Sequence, residues 1–194
     1  MNLQEQVYSV LIVSAADAFN SSMQALLPDS RFSPVTFEAS VSAAKRRLLE
    51  QFFDFVIINS PLPDDSGTRF AIDTCGTQAA VVLLMVRSEL YAAAYDKAAE
   101  YGVYVLPKPT SRPIVSQAID WMTATRERLK NLEKKTVSIE DKMQEIRLVN
   151  RAKWLLIEQL KMTEADAHHC IEKQAMDHCV SKREIAETII KTYT

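Results

Sequence analysis

The chain has 194 residues, 47% of them hydrophobic, with a formal net charge of −2 and three cysteines. That length allows one or two ordinarily packed domains, and an odd cysteine count in a chain this long does not make a disulfide framework. No run approaches the roughly 18 apolar residues of a membrane span, and no basic region precedes the short apolar stretch near the N-terminus, so a cytoplasmic protein is expected.

In chain order, Ser9–Val13 (SVLIV) is short, apolar and rich in β-branched residues, which predicts a buried strand. Helical spacing follows from Asp17 to Leu27 and stops at Pro28. Val35–Glu38 reads as a strand, Val41–Phe52 as a helix and Phe55–Ile58 as a third strand. Ser66–Cys75 is a helix, Val81–Met85 a strand, Glu89–Tyr101 a helix and Val103–Leu106 the last strand. Five strands alternating with helices imply right-handed βαβ units and a doubly wound parallel sheet. Ligands of such sheets bind at the carboxyl ends of the strands.

From Val115 to Leu160 the chain keeps alternating steps of three and four. They pass through Val115, Ala118, Met122, Thr125, Leu129, Leu132, Thr136, Ile139, Met143, Ile146, Asn150, Lys153, Ile157 and Leu160. No Gly or Pro interrupts the stretch after Pro113. If helical throughout, it reaches about 70 Å, far more than a globular helix needs. Glu127, Arg128, Lys130, Glu133, Lys134 and Lys135 are too polar for burial inside one domain. The pattern predicts a dimerising coiled coil between two domains, with Asn150 at an a-type position favouring two strands in register. A solvated connector helix is the alternative, because Thr125, Thr136 and Lys153 weaken the seam.

Beyond the seam, Thr163 is placed to cap a helix with Asp166 three residues on, and Ser181 and Glu184 repeat the device. Ala167, Cys170, Ile171, Gln174 and Ala175 supply one inward face, and Ile185, Ala186, Ile189 and Ile190 the next, giving a three-helix module with the end of the long helix. Residues 113–194 carry 14 Lys/Arg against 13 Asp/Glu, so any phosphate contact there depends on a local patch. His168, His169, Cys170, His178 and Cys179 lack zinc-finger spacing, and His168 and Cys170 point about 200° apart on one helix. No nucleophilic triad or Gly-rich phosphate loop is present. Neither an enzyme, a cofactor nor a metal is expected.

Two stretches resemble known families. Asp54–Gly67 (DFVIINSPLPDDSG) together with Lys108-Pro109 resembles the phosphoacceptor region of response-regulator receiver domains. The resemblance implies a flavodoxin-like, five-stranded sheet over 1–112. It also places the phosphoacceptor position on Asn59, the metal-binding acidic pair on Ser14 and Ala15, and the switch hydroxyl on Met85, leaving Lys108 alone of the pocket. An amide is no carboxylate nucleophile, and Ser and Ala offer Mg²⁺ no hard anionic oxygens. The expectation is a degenerate receiver that is not phosphorylated and answers to a ligand or a protein partner. Asp64 and Asp65 are expected to be solvated.

The second resemblance runs from Arg147 to Ile190 (RLVNRAKWLLIEQLKMTEADAHHCIEKQAM, then SKREIAETII) and is to the ANTAR domain, an RNA-binding antitermination module. It implies a coiled-coil dimerisation helix over 113–146 and a three-helix RNA-binding module over 147–194. The implied function is transcription antitermination by a homodimer that grips stem-loops in nascent mRNA. Arg147, Arg151, Lys153, Lys173 and Arg183 are the candidate RNA contacts. Trp154 stands where the family commonly has Gly; beside Leu155 and Leu156 it is expected in the core or the dimer interface, with base stacking as the alternative. A protein-interaction scaffold and a DNA-binding regulator are the rival functions.

Overall fold

A computed structural model describes residues 6–77 and 79–193. The chain divides into two compact units, one running to Lys130 and one beginning at Asn131.

In the first unit, strands β1 (Tyr8–Val13), β2 (Phe32–Glu38), β3 (Phe55–Asn59), β4 (Val81–Arg87) and β5 (Tyr104–Lys108) form one sheet in the order β2-β1-β3-β4-β5. Every pairing is parallel. Helices α1 (Asp17–Gln24), α2 (Val41–Glu50), α3 (Thr68–Thr77) and α4 (Tyr91–Ala98) connect the strands. β3 is buried at all five positions and β4 at six of seven, because helices cover both faces of the sheet. Leu11, Val13, Val56, Ile58, Val82 and Leu84 pack with residues of α2, α3 and α4 on one face. Val10, Ile12, Phe55, Ile57, Leu83 and Met85 pack with Met23 of α1 on the other.

The elements match those expected from the sequence, with shifted ends. β2 starts at Phe32 rather than Val35 and takes Pro34 inside the strand, which an edge position tolerates. The helix expected over Glu89–Tyr101 is trimmed to α4 by single 3₁₀ turns at Ser88–Leu90 and Ala99–Tyr101, the second ending on Gly102 at φ 83°. At Gly67, φ is +80° and a Cβ would meet Ile58 Cγ2 at 2.9 Å, so a side chain there is both strained and crowded.

Helix α5 runs from Arg112 to Leu160. The expectation of one continuous seam along it is corrected. Val115, Ala118 and Met122 are only 6, 2 and 1% exposed. Val115, Ile119 and Met122 pack on the sheet beside Phe55, Ile57 and Leu83, with Leu129 partly buried against them. These positions belong to the first unit's core, not to a pairing surface. From Asn131 to Glu140 every residue is exposed, and Leu132, Ile139, Met143 and Ile146 are 49–59% exposed. A helix closing a doubly wound sheet and a coiled-coil strand both need apolar residues three and four apart, so spacing alone could not name the partner. For the same reason the first unit extends past residue 112, where the sequence pattern alone ends it.

The far end of α5 in the first unit is held by charge. Asp54 accepts from Arg126 at 2.8 Å and lies 3.1 Å from Lys130 Nζ. The amide of Ser9 also donates to it at 3.0 Å. Burial pushes the Asp54 carboxyl up, but Arg126, the Ser9 amide and Lys130 outweigh that and hold it below its ordinary value. Tyr8 donates to Glu127 at 2.7 Å, and burial followed by that carboxylate raises the phenol to about 12.

The second unit joins the end of α5 to α6 (Glu164–Asp177) and α7 (Lys182–Tyr193). Val149, Ala152, Leu156, Ala167, Ile171, Ala175, Ile185, Ala186 and Ile189 form its core. Both predicted caps are present: Thr163 accepts from the Asp166 amide at 3.2 Å, and Ser181 from the Glu184 amide at 3.2 Å. The linkers turn through positive φ at Lys161 and Cys179.

Candidate functional site

The residues matching the receiver phosphoacceptor pocket do converge, at the carboxyl ends of β1, β3 and β5. Ser14 is 2% and Asn59 8% exposed. Asn59 Nδ2 donates to Ser14 Oγ at 2.9 Å, and Ser14 Oγ also accepts from the Ala16 amide at 3.2 Å. Lys108 Nζ donates to Asn59 Oδ1 at 2.5 Å and to the Ser60 carbonyl. The ammonium's partners are therefore an amide oxygen and a peptide carbonyl rather than a carboxylate. Burial and then the nearby charge of Arg87 pull the Lys108 pKa below its usual value. Met85 is 3% exposed and brings no hydroxyl, and Ala15 is exposed with no polar side chain. The Ser60 carbonyl is a participant that residue-type reasoning could not find, because main-chain acceptors carry no sequence signal.

Asp64 and Asp65, expected to be solvated, are used by the backbone. Asp64 accepts from the Val41 and Ser42 amides, both at 2.9 Å, at the start of α2. These bonds, led by that from Ser42, lower its pKa. Asp65 accepts from the Gly67 amide at 2.6 Å. Both are solvent-exposed, as expected, and tertiary contact adds a role: Asp64 satisfies orphan amides of a helix that begins 23 residues earlier. Beside the pocket, a groove of about 950 Å³ is lined by Phe19, Met23, Leu26, Met85, Lys108 and Val115, among others.

In the second unit the five candidate cations fall into two groups. Lys153, with 16% side-chain exposure, meets Glu164 at 3.0 Å, and Arg183 meets Glu187 at 3.0 Å. Lys182 pairs with Glu172 at 2.5 Å, and that contact lowers the Glu172 pKa, followed by the charge of His168. Arg147, Arg151 and Lys173 are exposed and form no ion pair among the described residues. Lys173 lies away from the packed face of α6, whose buried residues are Ala167, Ile171 and Ala175. Arg147 and Arg151, four apart on α5, share a face.

Of the two settings expected for Trp154, the core and a dimer interface, the structure excludes the core. Trp154 is 72% exposed and lies outside the cluster formed by Val149, Ala152 and Leu156. Neighbouring Leu155 and Leu156 suggested burial, but a helix turns 100° per residue, so adjacent positions do not share an environment. A second groove, of about 410 Å³, is lined by Lys142, Ile146, Asn150, Lys153, His168 and Lys182, among others.

Residues 138–190 match the ANTAR domain model. The transcriptional regulatory protein PdtaR of Mycobacterium tuberculosis is 27% identical over 142 residues, covering 72% of this chain and 68% of its own. The signal receiver domain of an HD domain-containing protein from Pseudomonas fluorescens Pf-5 superposes with a TM-score of 0.58 at 17% identity, covering 68% of this chain and 96% of that one. A response regulator receiver domain protein from Clostridium thermocellum gives 0.55 at 19% identity, covering 65% and 99%. At such identities the structural likeness establishes the receiver fold alone. No helix among the described residues is long and apolar enough to cross a membrane. The chain therefore joins a receiver fold to a stretch, residues 138–190, that matches the ANTAR domain.

Proposed function

We propose that the protein is a dimeric, RNA-binding transcription antitermination regulator whose receiver domain is not phosphorylated. The observation that carries this reading is the ANTAR match over 138–190 behind a receiver fold. Two features support its particulars. The exposed row Leu132, Ile139, Met143 and Ile146 suits pairing of two α5 helices, with Asn150 exposed in the same series. The amide of Asn59, held by Ser14 and Lys108, stands where a phosphoacceptor needs a carboxylate.

A dimer presents two ANTAR modules to paired stem-loops in nascent mRNA and stabilises an antiterminator structure, so that transcription continues. Arg147, Arg151, Lys153, Lys173 and Arg183 remain the candidate contacts. Exposed ion pairs contribute only about 0–1 kcal/mol, so its Glu187 partner does not bar Arg183 from RNA phosphates. With its acidic pocket absent, the receiver domain takes its signal from a ligand or a protein partner, and the groove beside Lys108 is the place to look for it. Crosslinking the protein to RNA in its own host, followed by sequencing, tests the reading. Enrichment of paired hairpins ahead of terminators is expected, and recovery of protein partners without hairpin RNA would replace it with the scaffold function.

A further inference from the structure

We infer that Trp154 is a base-stacking contact for an unpaired loop nucleotide of RNA, flanked by Arg147 and Arg151 as its phosphate clamps. The inference rests on the RNA reading above and adds to it a residue that departs from the ANTAR pattern. On α5, positions 147, 151 and 154 lie within a sector of about 60° at 100° per residue, roughly opposite Ala152 and Leu156 of the core. The indole is 72% exposed and both arginines are exposed.

Charge decides what suits this face. Residues 131–194 hold 11 Lys/Arg and 11 Asp/Glu, so no general attraction draws a polyanion to the unit. Of its three arginines, Arg183 pairs with Glu187, whereas Arg147 and Arg151 form no ion pair among the described residues. Two free guanidiniums beside an exposed indole combine phosphate binding with a flat apolar face, the chemistry of an unstacked nucleotide. Exposed Glu140 and Glu158 bound the same sector, which limits the contact to a few nucleotides. A fully paired duplex offers no free base face and should not use the indole. The heptad places Trp154 at an e position, one step outside the seam through Ile146 and Asn150, so a second α5 helix is the competing occupant.

Trp121 and Trp154 are the two tryptophans of the chain, so Trp121→Phe in the full-length protein leaves Trp154 as the sole reporter. The probe is a host stem-loop RNA recovered by crosslinking, with a fully paired RNA of equal length as control. Filter binding measures affinity independently of fluorescence. The loop RNA should quench Trp154, and the duplex should not. Trp154→Ala should bind the loop RNA about 5- to 150-fold more weakly at unchanged helicity, with Trp154→Phe recovering most of the loss. An abasic nucleotide at the stacked position should remove both the quench and the difference between wild type and Trp154→Ala. Tight filter binding without quench, or equal affinity of Trp154→Ala, overturns this inference while leaving the RNA reading intact. An emission shift on concentrating the protein without RNA, with no RNA quench, overturns it in favour of the dimer seam. If no host RNA binds any form in the filter assay, the RNA reading itself has failed.

Discussion

At the scale of single residues, the side chains gathered around Asn59 carry the proposal that the receiver fold is not phosphorylated. Asn59 is buried at the end of β3 and Lys108 reaches it, but Ser14, Ala15 and Asn59 supply no carboxylate to act as nucleophile or metal ligand, and Met85 brings no hydroxyl. Incubation with acetyl phosphate and Mg²⁺ should leave the protein's mass unchanged. Asn59→Asp should not by itself restore phosphorylation, since the cation still has no acidic pair to hold it. A phosphoryl adduct on the wild-type receiver domain would refute the reading. Asp54 gives a pH prediction. Its folded pKa lies below the ordinary 3.8, so its contribution is fully present above that value and is lost as pH falls through the folded pKa. Asp54→Asn should cost about 1–3 kcal/mol at neutral pH by removing the carboxylate that Arg126, Lys130 and the Ser9 amide all reach. Chemical denaturation curves of the two proteins should converge as the pH is lowered below 3.8.

At the scale of elements, α5 carries one apolar stripe through two environments. Met122 is 1% exposed against the sheet and Ile139 is 58% exposed. Met122→Ala should destabilise the first unit by about 2–5 kcal/mol, the usual cost of truncating a buried aliphatic side chain. Ile139→Ala should change monomer stability by less than about 0.5 kcal/mol and instead weaken self-association. Light scattering at tens of micromolar should report a dimer for the wild type. Leu132→Lys with Ile139→Lys should give monomers, because both place a charge in the pairing surface. A wild-type monomer at that concentration would leave α5 as a solvated connector.

At the scale of the whole molecule, the charge distribution constrains the proposed RNA binding. The second unit is electrically balanced, so affinity must come from a few placed contacts and not from a broad cationic surface. Replacing Lys153, Lys173 and Arg183 together by Ala should weaken binding to a double stem-loop RNA by roughly 1–3 kcal/mol for each side chain that touches the RNA. For every cation that neutralises a phosphate, its removal should also flatten the log–log salt dependence by about 0.7–0.9. Filter binding across a salt series measures both quantities. Duplex DNA of matching sequence should bind much more weakly, lacking loops and 2′-hydroxyls. An unchanged affinity and slope in the triple variant would remove these three from the RNA-binding surface.

The division between what the residues alone determined and what tertiary structure decided follows a physical line. Strand runs such as SVLIV, the βαβ alternation and the caps at Thr163 and Ser181 were legible because they depend on neighbours within a few residues. That Asn59 and Lys108 end neighbouring parts of one sheet was legible too, since the segment around Asn59 and the Lys108-Pro109 pair keep a recognisable spacing. What a side chain meets across the fold was not. The stripe of α5 had the same period on the sheet as in solvent. Asp64 is the exposed loop carboxylate that the sequence suggests, but that it holds the start of α2 is decided by the fold. Trp154 was expected in the core or a dimer interface, and the helix phase rules out the core by turning Ala152 and Leu156 inward and leaving the indole outside. Local spacing encodes which faces a segment has, but only the packed chain decides which face is covered, and by what.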